Sequence, residues 1–121
     1  MIEKRGNTLI VGAHEWAWSI RTSGFPVYAV LEIGGKHEAA QIGTTRKQMT
    51  RYELPRGTVA VFREYVSNRG YRGYHVYIFQ NNEIKQYILH ELDDFSIPQT
   101  ESQENKKILE FIRNWILNYK I

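Results

Sequence analysis

The chain contains no cysteine, which excludes disulfide staples, thiolate metal sites and a cysteine nucleophile. It has no apolar run of about 18 residues, so no segment reads as a membrane-spanning helix. The opening Met1-Ile2-Glu3-Lys4-Arg5-Gly6 lacks the apolar stretch of a secretory signal. Small secreted domains often depend on disulfides, so these absences lead to the expectation of a cytoplasmic protein without a membrane partner. The common enzyme signatures are missing too. There is no Gly-x-Ser-x-Gly elbow to present a nucleophile and no Gly-x-x-x-x-Gly-Lys-Ser/Thr loop to cradle phosphate. Gly34-Gly35 is not followed by the Gly-x-Gly-x-x-Gly of a dinucleotide site.

What is present suffices for one core. The chain has 121 residues, 42% apolar and 13% aromatic, which fits a single domain over residues 1–121. The pattern predicts an α+β fold, a mainly antiparallel sheet of hairpins and a meander covered by one C-terminal amphipathic helix. Strands occupy most of residues 1–92, residues 93–99 form a linker, and the helix spans 100–119. Thr8–Arg21 reads as a strand with Ile10, His14, Trp16, Trp18 and Ile20 on one face. Val27–Ile33 and Lys36–Gly43 flank Gly34-Gly35, the strongest hairpin signal in the chain. Thr45-Arg46-Lys47-Gln48 resembles a capping box opening a short helix stopped by Pro55, with an irregular basic loop as the alternative. Thr58–Val66, Tyr71–Phe79 and Glu83–Leu92 then form the meander, turning at Ser67–Gly70 and Gln80–Asn82. In the last segment Ile108, Ile112, Trp115, Ile116 and Tyr119 recur at helical spacing, a stripe expected to face the core.

The charge is unevenly placed. Between Thr44 and His75 stand Arg46, Lys47, Arg51, Arg56, Arg63, Arg69 and Arg72 against Glu53 and Glu64, a local +5 in a chain of net +3. Arginine makes forked contacts to phosphate and stacks on flat rings. Within this stretch, Arg69 and Arg72 flank Gly70 and Gly73, where bare backbone permits close approach of a phosphate. Tyr71, Tyr74 and Tyr77 offer ring faces to unpaired bases. Alternation puts Tyr71, His75, Tyr77 and Phe79 on one strand face and Arg72, Tyr74, Val76 and Ile78 on the other, so one set must pack on the core. The nucleic-acid-binding residues expected from this pattern are Arg46, Lys47, Arg51, Arg69, Arg72, Tyr71 and Tyr74. Three His-Glu dipeptides, at His14, His37 and His90, are not metal motifs, because neighbours on a strand point to opposite faces.

Arg69-Gly70-Tyr71-Arg72-Gly73-Tyr74-His75, running into Val76-Tyr77-Ile78, resembles the second motif of archaeo-eukaryotic primase-polymerases. That motif is a Ser-Gly-x-x-Gly-x-His turn and strand. Gly70, Gly73 and His75 match, and Arg69 replaces the serine. The resemblance implies that His75 contacts nucleotide phosphate. The family's paired metal-binding acids would fall after Val27–Ile33, where only Glu32 stands and Gly34 takes the second place. The third acid would be Asp93 or Asp94. Without the pair, two-metal phosphoryl transfer has no platform, so the resemblance implies nucleotide contact rather than polymerisation. His75-Val76-Tyr77 also resembles the His-hydrophobic-His strand of rolling-circle replication initiators, with Tyr77 in place of the second histidine and Tyr119 as the helical tyrosine.

The readings therefore rank as follows. A small basic protein binding single-stranded DNA or RNA comes first, followed by an interaction or structural module that forms a homodimer through a strand edge or Thr100–Tyr119. Third is a metal-dependent enzyme acting on phosphodiesters or nucleotides, with His75 as the catalytic candidate and Glu32, His75 and Asp93 as ligands. No cofactor is expected; a divalent metal enters only with the third reading.

Overall fold

The computed structural model describes residues 1–119. These form β1 (Ile2–Arg5), β2 (Thr8–Val11), β3 (Pro26–Ile33), β4 (Lys36–Thr44), β5 (Thr50–Glu53), β6 (Thr58–Val66), β7 (Arg72–Gln80), β8 (Glu83–His90) and α1 (Gln103–Tyr119). Every strand pairing is antiparallel, giving a five-stranded sheet in the order β4-β3-β6-β7-β8 and a three-stranded sheet β1-β2-β5. The expected α+β class is what the chain adopts. Among the described residues, no helix is long and apolar enough to cross a membrane.

Turn chemistry sets the registers. Gly34 and Gly35 have φ of 58° and 77°, joining Ile33 to its partner Lys36 in the two-residue turn that suits twisted strands. Asn81 and Asn82, at 52° and 64°, do the same between Gln80 and Glu83. Because side chains alternate, the five-stranded sheet has two faces to cover. Tyr28, Val30, Phe62, Tyr74, Val76 and Ile78 pack against α1, while Val27, Val61 and Tyr77 pack against Leu9, Val11, Trp16 and Tyr52 of the smaller sheet and its following loop. The molecule is thus helix, sheet, sheet in three layers.

The helix buries Ile108, Leu109, Ile112 and Ile116. Trp115 lies at the sheet surface, its ring 4.7 Å from Tyr28 and 5.3 Å from Phe62. Two details of the expected stripe are corrected. Tyr119 is 73% exposed, because the helix end runs past the sheet, and Leu109 takes an inner position instead. Ser102 begins the helix, its hydroxyl accepting from the Asn105 backbone N–H at 3.2 Å. Asn105 is itself buried, and its Nδ2 donates to Gln80 Oε1 at 3.0 Å and to the Tyr87 hydroxyl at 3.3 Å. Those bonds tie the helix start to both strands of the last hairpin.

Three segment readings are corrected. The strand expected over Thr8–Arg21 ends at Val11. Gly12 N–H bonds to Met1 O at 2.7 Å, and His14 turns to φ 63° with its N–H on Lys47 O at 2.7 Å, so the chain leaves the sheet. Trp16 is consequently buried while Trp18 and Ile20 are 68% and 83% exposed, not aligned on one face. Thr45–Gln48 forms no helix. Buried Thr45 exchanges backbone bonds with Gly24 and Phe25, and its hydroxyl donates to Thr22 O at 2.9 Å. The supposed linker is structured, with a 3-10 turn at Glu91–Asp93 and Phe95 buried in the helix-side core.

Replacing Asn105 with alanine leaves the half-buried Gln80 amide oxygen without its donor. Chemical denaturation should register a loss of about 1–3 kcal/mol. A change within a few tenths would show that the network does not anchor the helix.

Candidate nucleic-acid interface

The antiparallel order gathers one set of loops at one end of the large sheet. There β3 begins, β4 ends, β6 turns into β7 and β8 ends, so residues 12–25, 45–49, 67–71 and the turn at 91–95 lie at that end. Exposed Arg46 and Lys47 lie on the second loop and exposed Arg69 on the third. The first loop adds Arg21 and Trp18, both exposed, which sequence reasoning had not included in the interface. A cleft of about 260 Å³ separates Trp18, Arg21 and Phe25 from Val66, Ser67 and Asn68. Its shape depends on local bonding. The Ser67–Tyr71 turn closes through Ser67 N–H to Tyr71 O at 2.8 Å, with Gly70 at φ 88°, while Thr45 holds residues 22–25 in place.

The remaining expected residues divide. Tyr71 is exposed on the turn beside the cleft. Arg51 is exposed on β5, next to inward-facing Tyr52, and so looks away from the large sheet. Arg72 is not free for phosphate: its guanidinium stands 3.7 Å from the Glu91 carboxylate, which also accepts the Arg72 backbone N–H at 3.0 Å. Tyr74 cannot stack on a base. It is 1% exposed beneath the helix, and its hydroxyl donates to Glu64 at 3.0 Å. Burial, with the Glu64 carboxylate as its neighbour, pushes the phenol far above its ordinary range. Gly73 serves packing rather than ligand approach, since a Cβ there would run into the Tyr65 ring.

His75 faces away from the helix, between Tyr65 (ring centroids 4.4 Å apart) and Tyr77 (6.5 Å). Gln86 donates its amide N–H to His75 Nδ1 at 2.8 Å, which leaves the ring proton on Nε2. Burial, and then the nearby positive charge of Arg63, lower its pKa to about 4, so the ring is neutral at neutral pH. In that tautomer the ring presents its Nε2–H as a hydrogen-bond donor. Glu32 is remote from it. It lies at the other end of β3, five residues beyond the Val27 that aligns with Arg63 and His75, or about 16 Å along the strand. Its carboxylate faces His37 at 3.1 Å. Asp93 is in the 3-10 turn after β8. Among the described residues, no three His, Asp or Glu side chains come together in a metal-binding group. Tyr119 and His75 likewise lie on different sides, since α1 covers the sheet face opposite His75.

His75 links stability to pH. Its folded pKa is depressed from 6.5, so its contribution is complete above that value and is lost as pH falls toward 4. Between about pH 7 and pH 5 the loss should be roughly 2 kcal/mol, and His75→Gln should flatten that part of the profile. An unchanged slope in the variant would refute the assignment.

Compared with known proteins, this chain matches no family model, no curated protein and no solved structure.

Proposed function

We propose that the protein binds single-stranded nucleic acid, DNA or RNA, through its loop end. The observation that carries this reading is Trp18: a large indole, 68% exposed, on a narrow cleft that Arg21 also lines. Exposing an indole costs hydrophobic stabilisation and suits a surface that meets a flat apolar partner. At about 260 Å³ the cleft is smaller than the usual 300–1,000 Å³ of a cofactor pocket, but an unpaired base stacked on one wall fits it. Support comes from Arg21, which lines the cleft, and from the exposed cations Arg46, Lys47 and Arg69 on the loops at the same end of the sheet.

A second reading, a homodimer, has one observation behind it. β8 is a free edge of the five-stranded sheet and carries Ile88 at 44% exposure. It is rejected if sedimentation gives a monomer at millimolar concentration.

The test of the first reading is binding of a labelled oligothymidine or oligouridine, followed by fluorescence anisotropy. Affinity should fall steeply between about 50 and 200 mM salt, and Arg21→Ala and Arg69→Ala should each reduce the log-log slope by about 0.7. Trp18→Ala should weaken binding about 5- to 150-fold with an unchanged circular dichroism spectrum. Salt-independent affinity, or no binding at low salt, would overturn the reading.

A further inference from the structure

Ile20 is the most exposed large apolar side chain among the described residues, at 83%. It opens a single 3-10 turn, Ile20–Thr22, in the loop between β2 and β3. A side chain on a slack loop could fold back and cover itself, but this one is held out. Ser19 N–H donates to Thr22 Oγ1 at 3.1 Å, and the Thr22 hydroxyl donates to Ser19 O at 2.9 Å. The Thr45 hydroxyl then fixes the turn from the neighbouring loop, donating to Thr22 O at 2.9 Å. The turn separates two hollows. Trp18 and Arg21 border one, opposite Val66, and Ile20 borders the other with Arg46 and Lys47. Met49, on the same loop as Arg46 and Lys47, is exposed as well.

These apolar side chains stand among free cations. None of Arg21, Arg46, Lys47 and Arg69 makes an ion pair among the described residues. Of the acids at this end, Glu15 holds the Met1 amino group at 2.7 Å and Glu91 faces Arg72 at 3.7 Å. Asp93 and Asp94 stand past the Ser67–Tyr71 turn, on the β8 side. An aliphatic tip and an indole set among cations complement a surface with anionic headgroups over an apolar interior, which is what a bilayer presents. A polynucleotide suits the indole and the cations but offers nothing apolar to Ile20, which lies outside the cleft that Trp18 lines. Neither signal suffices alone, since shallow apolar insertion is marginal and exposed charge is screened by salt. Here the two coincide.

We propose that the Trp18–Arg21 turn docks this end of the molecule on an anionic phospholipid surface, with Ile20 and Trp18 entering the headgroup boundary and Arg21, Arg46 and Lys47 meeting the lipid phosphates. The contact is peripheral. It goes beyond the oligonucleotide reading and does not rest on it, because Ile20 carries it.

The experiment is cosedimentation with vesicles of one part phosphatidylserine to two parts phosphatidylcholine, against vesicles of phosphatidylcholine alone. At physiological salt the wild type should bind the mixed vesicles and bind the neutral ones weaker by about tenfold or more. Ile20→Asn removes apolar surface from an exposed position, so its circular dichroism spectrum should be that of the wild type. It should weaken binding to the mixed vesicles about tenfold and leave oligothymidine affinity within about twofold. Arg46→Ala with Lys47→Ala should weaken vesicle binding about 25-fold, at about fivefold per cation. Brominated phosphatidylcholine in the mixed vesicles should quench part of the wild-type tryptophan emission, and Trp18→Phe should lose that quenching. No binding to the mixed vesicles overturns the proposal, including when oligothymidine binds, for then this end serves nucleic acid alone. Equal vesicle binding by Ile20→Asn, the mark of adsorption by charge only, overturns it too. Quenching retained in Trp18→Phe sets a different face on the bilayer and also overturns it. Vesicle binding without oligothymidine binding supports the proposal and removes the oligonucleotide reading instead.

Discussion

Pairing of β6 with β7, in the register that sets Phe62 against Val76 and Arg63 against His75, is the constraint from which the rest of the molecule follows. These are the two inner strands that carry both faces of the sheet. One residue of slip would exchange the faces, turning Phe62, Tyr74 and Val76 away from the helix and Arg63 and His75 into it. The apolar set on one face requires a cover as long as the strands, and α1 supplies it. The mixed set on the other face is covered by a smaller sheet that shields Val61 and Tyr77 but leaves Tyr65, His75 and Ile88 nearer the solvent.

Polar groups inside this frame are handled differently on the two faces. On the helix side they are paired: Asn105 with Gln80 and Tyr87, Tyr74 with Glu64. Those bonds fix where the helix begins and how the last hairpin sits beneath it, a form of specificity that apolar packing alone does not give. On the other side the Tyr77 hydroxyl is the acceptor beside both Arg63 and Trp16, and the Arg63 guanidinium lies over the Trp16 and Tyr65 rings.

The loop end depends on the same sheet in a different way. Antiparallel order alone brings four connections to one end, but it does not shape them. Thr45 does much of that work by bonding residues 22–25, which holds Arg21 and Trp18 opposite the Ser67–Tyr71 turn. Segments far apart in sequence thereby face each other across one cleft, with Arg21 on one wall. At the same time Arg72 is withdrawn by Glu91, and Arg56 is carried to the opposite end, where Gly57 O accepts the Glu32 N–H at 2.8 Å.

Local chemistry was enough to determine the hairpins at Gly34-Gly35 and Asn81-Asn82, the limits of β6, and the amphipathic helix. Turn residues, β-branched runs and a 3.6-residue period act over a few positions and need no distant partner. The alternation of β7 was also legible, and with it the two sides on which Tyr74 and His75 stand. Tertiary structure decided what depends on contacts between distant segments. Apolar and aromatic spacing suggested one strand through Thr8–Arg21, yet bonds from Gly12 to Met1 and from His14 to Lys47 break it and separate Trp16 from Trp18. Thr45 had the spacing of a helix cap, but a loop more than 20 residues earlier in the chain claims its hydroxyl. Arg63 looked like one more basic residue. That it shares a face with Val61 and Tyr65 was readable from alternation, but its burial without a counter-charge arises only when Trp16 folds over it.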